Sequence, residues 1–140
     1  AQAPQGRGSR RARLNATARA CLVAGALALA LGVALGAVGA HAARTAPHPE
    51  AARLVQTAVL YQLVHGLGLL AVGILARAAA PSRLLALAGG LFAAGLLAFC
   101  GSLYSLAFAA FPTGILAPLG GSAFIAGWIA LAAWAASARP

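Results

Sequence analysis

The chain has 140 residues, 62% hydrophobic and only 8% charged, with ten Arg, no Lys and one acid, Glu50, for a formal net charge of +9. Soluble domains carry about 25% charged residues, so too little charge is present to coat a water-facing surface, and an ordinary cytosolic enzyme is excluded. A disordered chain is excluded as well, because such chains are polar and poor in Leu.

Residues 1–18 form a polar head with Arg7, Arg10, Arg11 and Arg13, no acid, and Pro4, Gly6 and Gly8; disorder is expected there. Ser9 to Leu14 resembles a twin-arginine export signal, but Arg13 stands where an apolar residue is usual. Ala40-His41-Ala42 has the small-x-small form of a cleavage site. The apolar run before it is longer than the roughly 7–15 residues of a secretory signal. A mitochondrial presequence shares the Arg-rich, acid-poor composition. The preferred reading is an uncleaved first span.

Beyond the head, formal charge is absent from Ala20 to Ala43, Leu54 to Ala76 and Leu84 to Ala138. About 20 apolar residues in a helix cross a bilayer core of roughly 30 Å. The first two stretches hold one span each, near 20–40 and 54–76. The third is long enough for two spans and a turn. Pro112, Thr113, Gly114 and Pro118 mark that turn, because proline breaks the helical ladder. The spans are then 84–111 and 115–136, and the third is long enough to end inside those limits or to tilt. No alternating pattern of a membrane β-barrel is present. Ala and Leu favour helix, and helices satisfy their own backbone groups in lipid. The expected fold is an all-α, integral membrane four-helix bundle over residues 20–137.

Arginine placement gives the orientation. With the N-terminus inside, eight Arg lie inside and two, Arg44 and Arg53, lie outside. The positive-inside rule then puts both termini in the cytoplasm. Trp134 suits an interfacial anchor near the inner end of the fourth span. Nucleic acid is not an expected partner: the basic head lacks interleaved aromatics and a folded module, and attraction to anionic lipid explains the arginines.

Polar residues within spans are default functional candidates, because lipid makes them costly. His41 at the end of span one, Tyr61, Gln62 and His65 in span two, Ser102 and Tyr104 in span three, and the start of span four all fall at similar depth in the outer half. Tyr61 and His65 are spaced i,i+4 and Gln62 and His65 i,i+3, so all three are assigned to one helix side. One reading is a small polar site holding a headgroup, quinone, metal or haem. The preferred reading is a hydrogen-bond network that locks the helices. Two His without a carboxylate or a Cys-x-x-Cys-His motif make a weak metal signal, so no metal or cofactor is expected. His48, between Pro47 and Pro49, reads as solvated. Cys21 and Cys100 are separated by about 25 Å of helical rise, beyond the reach of a disulfide, and read as apolar packers.

The glycines read as packing positions: Gly32, Gly36 and Gly39 in span one, Gly101 in span three, and Gly120, Gly121 and Gly127 in span four. Such faces join helices within one chain or between two. No acid pair, Ser/His/Asp set, phosphate loop or nucleophile elbow is present in the sequence, and Glu50 stands alone in a loop. No catalytic residue is expected.

One motif set stands out. It comprises Leu35-Gly36-Ala37-Val38-Gly39-Ala40-His41, Tyr61-Gln62-Leu63-Val64-His65, Phe99-Cys100-Gly101-Ser102-Leu103-Tyr104, and Pro118-Leu119-Gly120-Gly121 with Phe124 and Gly127-Trp128. In this order and spacing the chain resembles domain-of-unknown-function family 423, small four-span bacterial inner-membrane proteins. Their eukaryotic relatives resemble transmembrane protein 256. The resemblance covers residues 20–137. Val38 stands where the family often has Phe, Cys100 where it often has Ser, and Ala117 where it often has Thr. The last change removes a hydroxyl from the outer cluster. The resemblance implies a membrane location and four helices, but no established reaction.

The expected function is therefore a non-enzymatic accessory or scaffold subunit, surrounded by the lipid bilayer and engaging a membrane-protein partner or a second copy. The alternative is a module binding a lipid or apolar cofactor at His41, Tyr61, Gln62, His65, Ser102 and Tyr104. A channel would need a continuous polar path, and the inner halves of the spans are too apolar for one.

Overall fold

The computed structural model describes residues 15–42, 45, 50–108 and 113–137, with only the backbone of residue 40. The helices are α1 (Ala16–Ala42), α2 (Ala51–Ala78), α3 (Arg83–Gly95), a π turn (Leu96–Cys100), α4 (Gly101–Phe108) and α5 (Leu116–Ser137). The described residues contain no strand. Four helical segments are long and apolar enough to cross a membrane: Ala16–Gly39, Ala51–Ala78, Arg83–Phe108 and Leu116–Ser137. The third is α3, the π turn and α4 in series, and it ends three residues before the expected limit of 111. Residues 1–14 of the head lie outside the described residues, as do Arg44, His48 and Pro112.

The ends of the helices have local causes. Asn15 caps α1: its Oδ1 accepts the Ala18 N–H at 2.7 Å, leaving one fewer orphan donor in the first turn. The same side chain donates from Nδ2 to the Ala76 carbonyl at 2.6 Å, tying the start of α1 to the end of α2. Residues 16–18, expected to belong to the disordered head, are the first turn of this helix. After α2 the backbone turns extended at Ala79, ahead of Pro81. Ser82 caps α3 by accepting from the Leu85 N–H at 3.5 Å. The turn into α5 is closed by the Leu116 N–H on the Thr113 carbonyl at 2.9 Å.

Helix α2 is the central element. Helices α1, α3 and α4 all pack on it, and α5 packs on α3 and the π turn. Helix α1 meets α3 only sparingly, so it is a flank rather than a full bundle member. The core holds Leu69, Val72, Leu85 and Phe92, all essentially inaccessible. Outward faces carry Val33, Val38, Leu97 and Ile129, as a hydrocarbon solvent allows.

The glycines show how α1 closes on α2. A Cβ at Gly32 would lie 2.9 Å from Leu63, one at Gly39 3.0 Å from Val55, and one at Gly36 3.4 Å from Val59. This glycine face is used inside the chain. The closest approach is elsewhere: a Cβ at Gly120 would run into the backbone of Phe99, and one at Gly127 would lie 2.7 Å from Phe92. Two expected packing positions differ. Gly121 has only ordinary contact with Phe99, at 3.9 Å, and Gly101 faces open space with nothing within 4 Å. Gly101 directly follows the π turn.

Candidate functional site

Most polar residues of the spans fall into two clusters on neighbouring faces of α2. The first centres on Gln62, which is buried. Its Nε2 donates to the Ala28 carbonyl of α1 at 2.9 Å. Its Oε1 accepts from the Tyr104 hydroxyl of α4 at 2.9 Å. One carboxamide thereby links three helices. Below it, the Cys100 thiol donates to the Ala58 carbonyl at 3.5 Å, a weak bond that serves a carbonyl already used within α2. These groups border a lateral groove of about 410 Å³ between α1 and the α3–α4 wall, lined almost wholly by apolar side chains.

The second cluster centres on His65, also buried. Its Nδ1 lies 2.8 Å from the Tyr61 carbonyl one turn earlier. A carbonyl only accepts, so Nδ1 is the donor in this pairing. The ring lies flat on Phe124, with centroids 3.5 Å apart and planes 12° from parallel. Tyr61 at 5.8 Å, Phe92 at 5.8 Å and Trp128 at 6.1 Å complete an aromatic surround. Phe99 joins it through Tyr61 at 4.5 Å. This cluster is the means by which α2 and α5 meet, because side-chain rings rather than close backbones fill the space between them.

Gln62 and His65 therefore do not share a site. A separation of three residues turns a helix by about 300°, leaving the two side chains roughly 60° apart. That offset suffices here to send Gln62 to α1 and α4 while His65 faces α5. Ser102 is in neither cluster: its hydroxyl donates to the Thr113 carbonyl at 2.8 Å, and Thr113 Oγ1 donates back to the Ser102 carbonyl at 3.3 Å. This reciprocal pair holds the end of the third span to the start of the fourth. His41 is exposed in the last turn of α1, away from both clusters. Cys21 and Cys100 are both buried and unbridged; Cys21 sits against Gly89, where a Cβ would come within 2.5 Å of its sulfur. Among the described residues no group of three or more His, Cys, Asp or Glu is placed to hold a metal. No fully buried side-chain N or O among them lacks a hydrogen-bond partner.

Two features carry weight that the sequence reading did not assign. Asn15 joins two helix ends, and its position before an apolar run is a capping signal visible in sequence. The π turn at Leu96–Cys100 has no such signature. It directs Phe99 to Tyr61 and α5 while Cys100 turns to α2, a local widening of a kind that often accompanies function.

The family model described as "Protein of unknown function (DUF423)" matches residues 35–121. The UPF0382 membrane protein YwdK of Bacillus subtilis is 38% identical over 77% of this chain and 89% of its own length. A UPF0382 membrane protein of Staphylococcus haemolyticus is 37% identical over 79% of this chain and 89% of its own. One from Haemophilus influenzae is 37% identical over 71% and 80%. No solved structure matches. With four helices long and apolar enough to cross a membrane, a family model matching residues 35–121, and relatives aligned over most of their length, this chain belongs to the DUF423 family of bacterial membrane proteins.

Proposed function

We propose that this chain is a non-enzymatic accessory or scaffold subunit of a bacterial cytoplasmic membrane, with both termini in the cytoplasm. The observation that carries the reading is where the polar side chains spend their bonds. Gln62, Tyr104, Ser102 and Cys100 all bond to other helices or turns of the same chain. Polar groups used in this way hold helices in register, each bond contributing about 0.6 kcal/mol on average in membranes. Proton-coupled transport calls for an acid inside a span, and the one acid, Glu50, stands at the exposed start of α2, 3.4 Å from Arg53. Four crossings would return the chain to the side where it began, and the arginine excess on that side supports reading it as the cytoplasmic one.

Mild-detergent purification followed by mass measurement tests the role. A stoichiometric partner or self-association above the 13.7 kDa of one chain is the expected result, and a strictly monomeric particle across several detergents contradicts it. A reporter fused after Pro140 tests the orientation, with activity expected only for a cytoplasmic reporter.

A second reading, a membrane module for a lipid or apolar cofactor, is supported by the groove between α1 and α3–α4. Of the six residues expected to form such a site, Gln62 and Tyr104 line this groove. Retention of a lipophilic molecule through purification tests it.

A further inference from the structure

The groove combines three properties that packing alone does not explain. Its volume of about 410 Å³ falls within the roughly 300–1,000 Å³ of small-molecule sites, which likewise pair apolar walls with a few polar groups. It opens sideways between Leu27 and Leu97, which are 65% and 80% exposed, so its entrance faces the lipid. Its wall includes Gly101, which no neighbour requires: a Cβ there meets nothing within 4 Å. Glycine weakens a helix relative to alanine; here it leaves the groove wide beside Tyr104.

The polar end of the groove has one unspent hydrogen-bonding group. A carboxamide has two N–H donors. Gln62 uses one on the Ala28 carbonyl, and its Oε1 is taken by the Tyr104 hydroxyl. The second N–H belongs to a side chain that lines the groove and is only 5% exposed. A ligand suited to this place is apolar and carries an acceptor oxygen.

Depth selects among such molecules. Gln62 is two to three residues from the midpoint of α2, Ala51–Ala78, or about 4 Å at 1.5 Å per residue. The polar region of the bilayer begins about 15 Å from the midplane. An ester carbonyl tethered to a phospholipid headgroup at that boundary is too far away. The acceptor must belong to a molecule that dissolves whole in the hydrocarbon core.

We propose that this groove binds a membrane quinone, with a ring carbonyl accepting from Gln62 Nε2 and the tail leaving between Leu27 and Leu97. The proposal rests on the apolar-ligand reading above and names its chemical class. It is independent of the scaffold role.

The test uses the full chain in phospholipid nanodiscs and a decyl-tailed benzoquinone, quantified by absorbance after co-elution, with empty discs as reference. Saturable binding above the empty-disc level is expected, unchanged in Gly90→Ala, a position outside the groove where a Cβ meets nothing. Gly101→Phe fills the groove and Gln62→Leu removes the donor; each weakens binding about tenfold or more, the scale of one lost buried hydrogen bond. Should Gln62→Leu fail to fold, Gly101→Phe decides alone, because its side chain enters open space. Binding no greater than to empty discs overturns the proposal. So does full binding by a Gly101→Phe chain with unchanged circular dichroism and melting. Native mass spectrometry separates the two levels. A phospholipid retained by the parent and lost from Gly101→Phe, without quinone binding, overturns the quinone and keeps the apolar-ligand reading. No retained molecule of any kind removes both.

Discussion

The two sides of α2 solve the same problem by opposite means. Toward α1, helices approach through glycine and small residues, with a single carboxamide bridging them at Gln62. Toward α5, helices stand further apart and aromatic rings stacked around His65 fill the gap. Lipid supplies no hydrophobic drive for either contact, so each side depends on the contact area its residues can make. The glycine side makes that area with backbone and leaves a groove where α1 diverges from α3. The aromatic side makes it with rings. A groove and an aromatic brace thus lie on neighbouring faces of one helix.

The sharpest test of this contrast is at the point where α5 touches the third span. Gly120→Val drives a side chain into the Phe99 backbone and is expected to cost about 3 kcal/mol, the upper part of the overpacking range, in unfolding from mixed micelles. Gly121→Ala, one residue on, is expected to be close to neutral. Next in size is Asn15→Ala, which removes a helix cap and the bond to Ala76. Loss of a cap costs about 1 kcal/mol, and a cross-link between positions 15 and 76 should restore most of it.

The aromatic brace predicts energetic coupling. A double-mutant cycle of His65→Leu and Phe124→Leu is expected to give an interaction of about 1 kcal/mol, within the range for ring pairs. A value near zero would mean that shape alone joins α2 to α5. On the other side, Tyr104→Phe removes only the hydroxyl bond to Gln62 and is expected to cost about 0.6 kcal/mol. The smallest effect is expected at Gly90, where a Cβ meets nothing. Gly90→Ala should leave stability unchanged or raise it by less than about 1 kcal/mol.

Much of the architecture was legible before any coordinates. The charge-free runs between arginines coincide with the four long apolar helices, because lipid calls for about the same length in every crossing. The joint spacing of Tyr61-Gln62, Phe99-Cys100-Gly101 and Pro118-Leu119-Gly120 sufficed to indicate the family. The composition of the site was partly legible too, since rare polar residues in an apolar chain stand out. Their grouping was not. Six residues at similar depth read as one outer cluster, yet Gln62 and Tyr104 meet across α2 and α4, Tyr61 and His65 join an aromatic surround, Ser102 ties a turn, and His41 stands apart. Depth follows from position along a helix, whereas grouping also depends on rotation about its axis. The π turn at Leu96–Cys100 alters that rotation midway through the third span, with no residue pattern to announce it.

The amino-acid order by itself determined the solvent, the number of crossings and the family, because transfer of long apolar segments into lipid depends on composition and length alone. Tertiary structure decided which glycines close a contact and which leave one open, and which polar atom of Gln62 or His65 faces which neighbour. Those outcomes depend on how four nearly featureless apolar cylinders rotate against one another, and only their mutual packing selects that angle.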